Sequence, residues 1–376
     1  MSIECERIGG LNLSQGVCDT PVPDVVKRAA QKAMDDGYNI YTRYDGLPQL
    51  RNVLAKKVRE FTGLKANPEG EIIVSAGATG AFYAACQALL DPGDEVVLFE
   101  PYYGYHVQTL AALDLVPKYV RLNPPDWTFT REALEKACSS KTRGVMLNTP
   151  ANPSGKVFSR DELHIIGQMV KKYDLFVFTD EIYEHFLYDG RKHLAPATLP
   201  EFKGRTITIS GVSKTFAITG WRVGYAITDA RWAKMIGFFN DLVYVCAPAP
   251  LQIGVAAGLE ALPASYYETL RMDYGWKRDK ICNALDRAGL RPYVPAGAYY
   301  VLADISRIPG KDSKQRAMRL LKDTKVASVP GEAFYHAGGG ETLTRFCFAK
   351  TDDVLEQACR NLEKLKRQGK ARKVAF

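Results

Sequence analysis

The chain has 376 residues, 46% hydrophobic and 24% charged, which is enough for one large core or two moderate ones and excludes a disordered chain. The formal net charge is +8, with much of the excess in the tail Lys364, Lys366, Arg367, Lys370, Arg372 and Lys373, which is expected to fray into solvent. No helix-turn-helix, zinc-finger or RNA-binding signature accompanies that charge, so nucleic acid is not expected as a partner, while a positive field favours anionic ligands.

Met1 to Leu13 lacks the charged-then-apolar pattern of a signal peptide, and nowhere do roughly 18 apolar residues run together, so the expected location is cytoplasmic, with no membrane partner. The eight cysteines are scattered singly, without C-x-x-C spacing, and read as reduced thiols rather than metal ligands. From about residue 70 to 230, short β-branched runs alternate with amphipathic helical stretches, the pattern of a parallel sheet covered on both faces. The strands are expected at Glu71–Ser75, Glu95–Phe99, Gly144–Asn148, Leu175–Thr179, Thr206–Ser210 and Val223–Thr228. Helices are expected at Ala78–Leu90 and Arg160–Lys172, the second opened by capping-box spacing from Ser159 to Glu162. A long helix over Leu259–Ala288, interrupted near Pro263, leads to a segment with more turns. There Tyr299–Ala303 and Arg345–Phe348 read as strands and a last helix starts at Asp352, which together suggest a second, smaller α/β domain. Ligands of open α/β sheets bind beyond the carboxyl ends of the strands.

Four segments put chemically useful residues at such strand ends. Val74-Ser75-Ala76-Gly77-Ala78-Thr79-Gly80 is a small-residue turn opening a helix, whose free N–H groups suit a phosphate, although such turns are common. In Leu147 to Gly155, turn formation explains the prolines and glycine but not the two asparagines, Asn148 and Asn152. Phe176-Val177-Phe178-Thr179-Asp180 ends a buried strand on an acid. Asp180 reads as a helix or turn cap, or as a carboxylate facing a pyridine nitrogen, whose protonated form it would favour. In Thr206 to Lys214, an apolar strand and small residues precede a lysine. A lysine is ordinarily a solvated surface charge, but one partly desolvated at a strand end can condense with an aldehyde.

In this order, the four segments resemble the class I/II aminotransferases of pyridoxal-phosphate (PLP) fold type I, closest to the kynurenine, glutamine and aromatic aminotransferase branch. The shared motifs are N-T-P-x-N-P-S-G at 148–155, D-E-I-Y at 180–183, S-K-T-F at 213–216, G-W-R-V-G at 220–224 and R-F-C-F at 345–348. The resemblance implies a mostly parallel central sheet flanked by helices plus a smaller α/β domain. The implied division is a large PLP-binding unit over residues 36–262 and a small one made of 1–35 and 263–376.

It further implies that Lys214 carries the cofactor as a Schiff base and acts as general acid and base, with Asp180 as partner of the ring nitrogen. Asn152 and Tyr183 would bond the ring's phenolic oxygen, and Tyr103 would stack on the ring. The backbone of Ala78 and Thr79, Arg222, and Ser210 or Ser213 would hold the phosphate. Arg345, Asn152 and the backbone of Gly16 would grip the substrate α-carboxylate, although Arg345 read without the family is an exposed strand residue. Tyr41 is similar to the tyrosine that reaches the neighbouring subunit's phosphate, which implies a homodimer. The implied reaction moves an amino group from an L-amino acid to a 2-oxo acid, 2-oxoglutarate being one candidate, with ping-pong kinetics. The alternatives are a cysteine-conjugate β-lyase and, remotely, a PLP-binding regulator contacting nucleic acid. The donor stays open: Gln15-Gly16-Val17 lacks the aromatic or arginine that relatives place after the glycine, and Arg43 reads either as facing a neighbour's pocket or as a surface residue. The five histidines, His106 and His185 among them, are unassigned.

Overall fold

A computed structural model describes the backbone over residues 1–373 and side chains over residues 1–365. The expected solvated basic tail therefore lies, from Lys366 onward, outside the described side chains. The N-terminal arm holds helix α1 (Ser2–Arg7), strand β1 (Leu11–Asn12) and helix α2 (Asp24–Asp35), followed by α3 (Pro48–Phe61). Alternation then sets in with β2 (Ile72–Ala76), α4 (Gly77–Leu89), β3 (Glu95–Glu100), α5 (Gly104–Ala112), β4 (Val116–Arg121) and α6 (Arg131–Ala137). It continues through β5 (Thr142–Asn148), α7 (Arg160–Tyr173), β6 (Phe176–Asp180), β7 (Thr206–Gly211) and β8 (Val223–Ile227).

Strands β2 to β8 form one sheet in the order β2-β8-β7-β6-β5-β3-β4. Only β8 runs against its neighbours; the other pairs are parallel. The expected strands are all present within a residue or two, and the capping box of α7 is formed in full by Ser159 and Glu162. The edge strand β4 was not expected. Its Pro117 and Lys118 are tolerated because one side of an edge needs no ladder partner.

The two sheet faces are read off strand alternation. Val97, Val145 and Val177 point to one face and pack with Leu134, Leu163, Ile166 and Val170 of α6 and α7. Val96, Met146, Phe178, Ile207 and Ile209 point to the other and meet Ala81 and Ala85 of α4 and Ile236 of helix α8 (Ala230–Tyr244). Burial on both faces is why these strands are apolar throughout.

The expected long helix is two: α9 (Ala249–Ala261) and α10 (Ala264–Arg287), separated at Leu262 and Pro263. The remainder comprises β9 (Arg291–Tyr293), β10 (Tyr300–Asp304), α11 (Ser313–Thr324), β11 (Val326–Ala327), β12 (Val329–Pro330), β13 (Leu343–Cys347) and α12 (Asp352–Lys373). A second, antiparallel sheet has the order β12-β13-β10-β9, and β1 pairs in parallel with β11, tying the N-terminal arm to this unit. Helix α2 behaves differently from the rest of the arm. Its Val26 packs with Leu50 and Leu54 of α3 and Val255 of α9, on the larger unit. No helix among the described residues is long and apolar enough to cross a membrane.

Candidate active site

The parallel strands deliver their last residues to one edge of the large sheet: Glu100, Asn148, Asp180 and Gly211 end β3, β5, β6 and β7. Strand β2, two reversals from β7, points the same way and delivers α4. Beyond this edge lies a cavity of about 690 Å³, walled on its far side by Ser14 to Val17, Tyr300 and Arg345 of the smaller unit. Lys214, Asp180, Tyr183, Tyr103, Asn152, Ala78, Thr79, Ser213, Arg222, Gly16 and Arg345 all line it.

Lys214 sits three residues past β7, with Nζ 3.5 Å from the Gly16 carbonyl oxygen. Burial lowers its ammonium pKa below the ordinary lysine value and Arg222 adds to this, while Asp180 opposes. Asp180 is buried, its Oδ1 accepting from the Ile182 amide at 3.2 Å and its Oδ2 lying 3.1 Å from His106 Nε2. Tyr103, the N-cap of α5, packs edge-on against His106. Burial first, then the Asp180 charge, raises the Tyr103 pKa, so its phenol stays protonated. His106 is the site residue that sequence reading left unassigned. Its pairing with Asp180, 74 positions away, depends on β3 and β6 being brought to one edge.

The two asparagines divide the work. Asn148 Nδ2 donates to the Asp180 carbonyl at 3.1 Å and its Oδ1 accepts from the Asn152 amide at 2.7 Å, so Asn148 anchors the turn. Asn152 Oδ1 accepts from Arg345 Nη1 at 2.7 Å. Arg345 is buried, not exposed as it reads without the family, because its strand β13 is internal to the small sheet and faces the cleft. Its Nη2 donates to the Ser14 carbonyl at 2.7 Å, and Nε has no partner among the described residues. A cation with one unanswered donor in a polar cleft suits a carboxylate ligand.

On the phosphate side, the first turn of α4 carries no carboxylate and leaves the Ala78 and Thr79 amides at its positive end. Gly77 has φ +74°, and a Cβ there would strike the Arg222 guanidinium, so glycine lets that side chain lie against the helix start. Arg222 itself adopts a left-handed φ of 55°, a conformation costing a non-glycine residue roughly 1–2 kcal/mol. Thus the anion cradle, the half-buried amine, the acid and the arginine fit PLP in kind and in order.

Two alternatives left open by the sequence are narrowed and one residue lies elsewhere. Of the two serines, Ser213 lines the cavity, whereas Ser210 alternates with inward Ile209 and bonds the Glu181 carbonyl at 3.3 Å and Glu184 Oε1 at 3.1 Å. Arg43 does not offer a free fork to an acidic substrate, because Asp45 accepts from it twice at 2.6 Å and Glu69 once at 2.9 Å. Tyr41 is 80% exposed and lies outside this chain's own cavity.

The family described as aminotransferase class I and II matches residues 8–362. The chain belongs to the class I and II aminotransferases. Kynurenine–oxoglutarate transaminase 3 of Rattus norvegicus is 34% identical over 93% of this chain and 83% of the relative. The solved N-succinyldiaminopimelate aminotransferase of Mycobacterium tuberculosis superposes with a TM-score of 0.94 at 34% identity, covering 97% of this chain and 96% of that one. A methionine aminotransferase of Escherichia coli gives 0.93 at 31% identity, covering 97% and 95%. The chain is therefore a PLP-dependent aminotransferase of fold type I, moving amino groups between amino acids and 2-oxo acids. The relatives carry transaminase names and give the β-lyase alternative no support.

Proposed function

We propose that this aminotransferase holds PLP covalently through Lys214 and takes L-amino-acid donors with neutral side chains. The observation carrying the reading is the convergence, in one cavity, of a half-buried amine with a depressed pKa, a buried carboxylate and a buried arginine with a spare donor. When bound, the cofactor supplies an electron-withdrawing ring that acidifies the α C–H of a substrate amino acid. Asp180, steadied by His106, would keep the ring nitrogen protonated. Tyr183 and Asn152 would hold the phenolic oxygen, Tyr103 would cover the ring, and Ala78, Thr79, Ser213 and Arg222 would bind the phosphate. Arg345 and Asn152 would fix the α-carboxylate so that Cα faces Lys214 Nζ. Lys214 would then take the Cα proton and hand it on within the cleft, a transfer helped by burial, which lowers the ammonium pKa and enlarges the neutral fraction.

Among the described residues lining the cavity, Asp180, Lys214, Arg222 and Arg345 are the Asp, Glu, Lys and Arg side chains, and each already has a task. No lining cation of this chain is left for a side-chain carboxylate, which supports neutral donors. The test is a half-reaction: single L-amino acids are added to PLP-loaded protein without an oxo acid, and the visible band is followed. Neutral donors are expected to convert the band and release one equivalent of 2-oxo acid, the first half of a ping-pong cycle; a band unchanged by every donor would contradict the assignment.

We further propose a homodimer in which Tyr41 completes the neighbour's phosphate site. Support comes from exposed Ile40 and Tyr41, next to Thr42, whose amide donates to Cys246 Sγ just past α8, and from the exposed apolar Phe238, Leu242 and Val243 on α8. The proposed division is a large unit over residues 36–262 and a small one from 1–35 and 263–376, amended by the packing of α2 on the large unit. Eight free cysteines support a cytoplasmic location.

A further inference from the structure

We infer that Tyr300 is a positioning residue, a second phenol that feeds a hydrogen bond to Tyr183 and braces Arg345. The inference rests on the proposed contact of Tyr183 with the phenolic oxygen of the cofactor. The two hydroxyls are 3.0 Å apart, both residues are buried, and their rings meet edge-to-face at 5.8 Å. Burial raises the pKa of both phenols, so both keep their protons at neutral pH.

A bond between two neutral hydroxyls uses one of their two protons, and the neighbourhood decides which. With an anionic oxygen in front of Tyr183, the favoured order is Tyr300 donating to Tyr183 and Tyr183 donating into the cleft. Each acceptor is then satisfied, and each bond polarises the next. Tyr300 therefore strengthens the donor that meets the ring oxygen, stabilising that oxygen's anion without touching it.

The same side chain reaches the carboxylate end of the cavity. The Arg345 guanidinium lies 4.3 Å from the Tyr300 ring centroid, with Phe334 at 5.1 Å. The aromatic faces hold the fork flat while its Nη atoms are used by Asn152 and Ser14. Space for the hydroxyl exists because residue 16 is glycine: a Cβ there would fall on the Tyr300 oxygen. Gly16, Tyr183 and Arg345 thus all meet at one ring.

The test is a pH titration of the visible band of PLP-loaded protein for wild type, Tyr300→Phe, Tyr183→Phe and the double variant, with far-UV circular dichroism confirming the fold. Loss of one hydrogen bond to Tyr183 is expected to move the Tyr300→Phe midpoint upward by about half a unit to one unit. Tyr183→Phe is expected to move it further, and the double variant to match Tyr183→Phe alone, since Tyr300 acts through Tyr183. An unmoved Tyr300→Phe midpoint beside a shifted Tyr183→Phe would overturn the inference and leave the proposed function standing; an additive double variant would equally overturn it. A Tyr183→Phe midpoint equal to wild type would instead remove the Tyr183 assignment, and this inference with it. Should Tyr300→Phe fail to fold, difluorotyrosine at position 300, a stronger donor with the same shape, is expected to move the midpoint downward; no movement would again overturn the proposal.

Discussion

Lys214 can serve as an amine because its strand ends inside a cleft rather than at the surface. The sign of the resulting pH dependence is fixed: burial lowers the ammonium pKa below 10.5, so the reactive neutral form is present at lower pH than for an exposed lysine. The rate at which cofactor-free protein takes up PLP is therefore expected to rise with pH and level off at a midpoint below 10.5, read by stopped-flow absorbance; a midpoint at or above the ordinary lysine value would contradict the account. Arg345 offers a second test. Replacement by lysine keeps the charge but loses the planar fork, and kcat/KM for every donor is expected to fall roughly 10- to 100-fold, mostly through KM. Steady-state kinetics on two unlike donors would reveal this, and a loss confined to one donor would place Arg345 at the side chain instead.

Elements position these residues, and they differ in how readily sequence alone reveals them. Strands β2, β3, β5, β6, β7 and β8 are plain because burial on both faces makes each a short apolar run bounded by turns. Strand β4 is hidden by Pro117 and Lys118, which only its edge position permits. The site motifs could be read because they stand at strand ends, but the pairings within them could not. His106 with Asp180, Tyr300 with Tyr183 and Arg345 with Asn152 are separated by 74, 117 and 193 positions, and only the docking of elements brings them together. The same holds behind the site, where Lys57 of α3 bonds Glu184 Oε1 at 2.5 Å and the Tyr225 hydroxyl at 3.2 Å. Burial works against the Glu184 carboxylate, but Lys57 outweighs it and holds the pKa below 4.5. Glu184→Gln would leave a buried ammonium uncompensated and is expected to cost about 3–5 kcal/mol in urea unfolding. Because the folded pKa is lowered, that difference is complete above the ordinary carboxylate pKa and shrinks as pH falls through the folded value. A constant difference down to strong acid would show that the ion pair is not its source.

At the scale of the whole molecule, the cavity lies between two sheets and, in the proposed dimer, close to a second chain. Tyr41 has no task within its own chain's cavity, and the apolar stripe on α8 has no cover among the described residues of that chain. Sedimentation is expected to give a dimer. Chains bearing Tyr41→Ala, mixed with chains bearing Lys214→Ala, are expected to yield hybrids with one site carrying both lesions and one carrying neither. Such hybrids should regain activity above the sum of the parents, and a strictly additive mixture would mean that each chain builds its site alone. The central claim is that one amine, on Lys214, carries the cofactor. Borohydride reduction of the PLP-loaded protein, followed by peptide mass mapping, reads this directly: the account predicts a phosphopyridoxyl group on Lys214, and its stoichiometric appearance on any other lysine would contradict it.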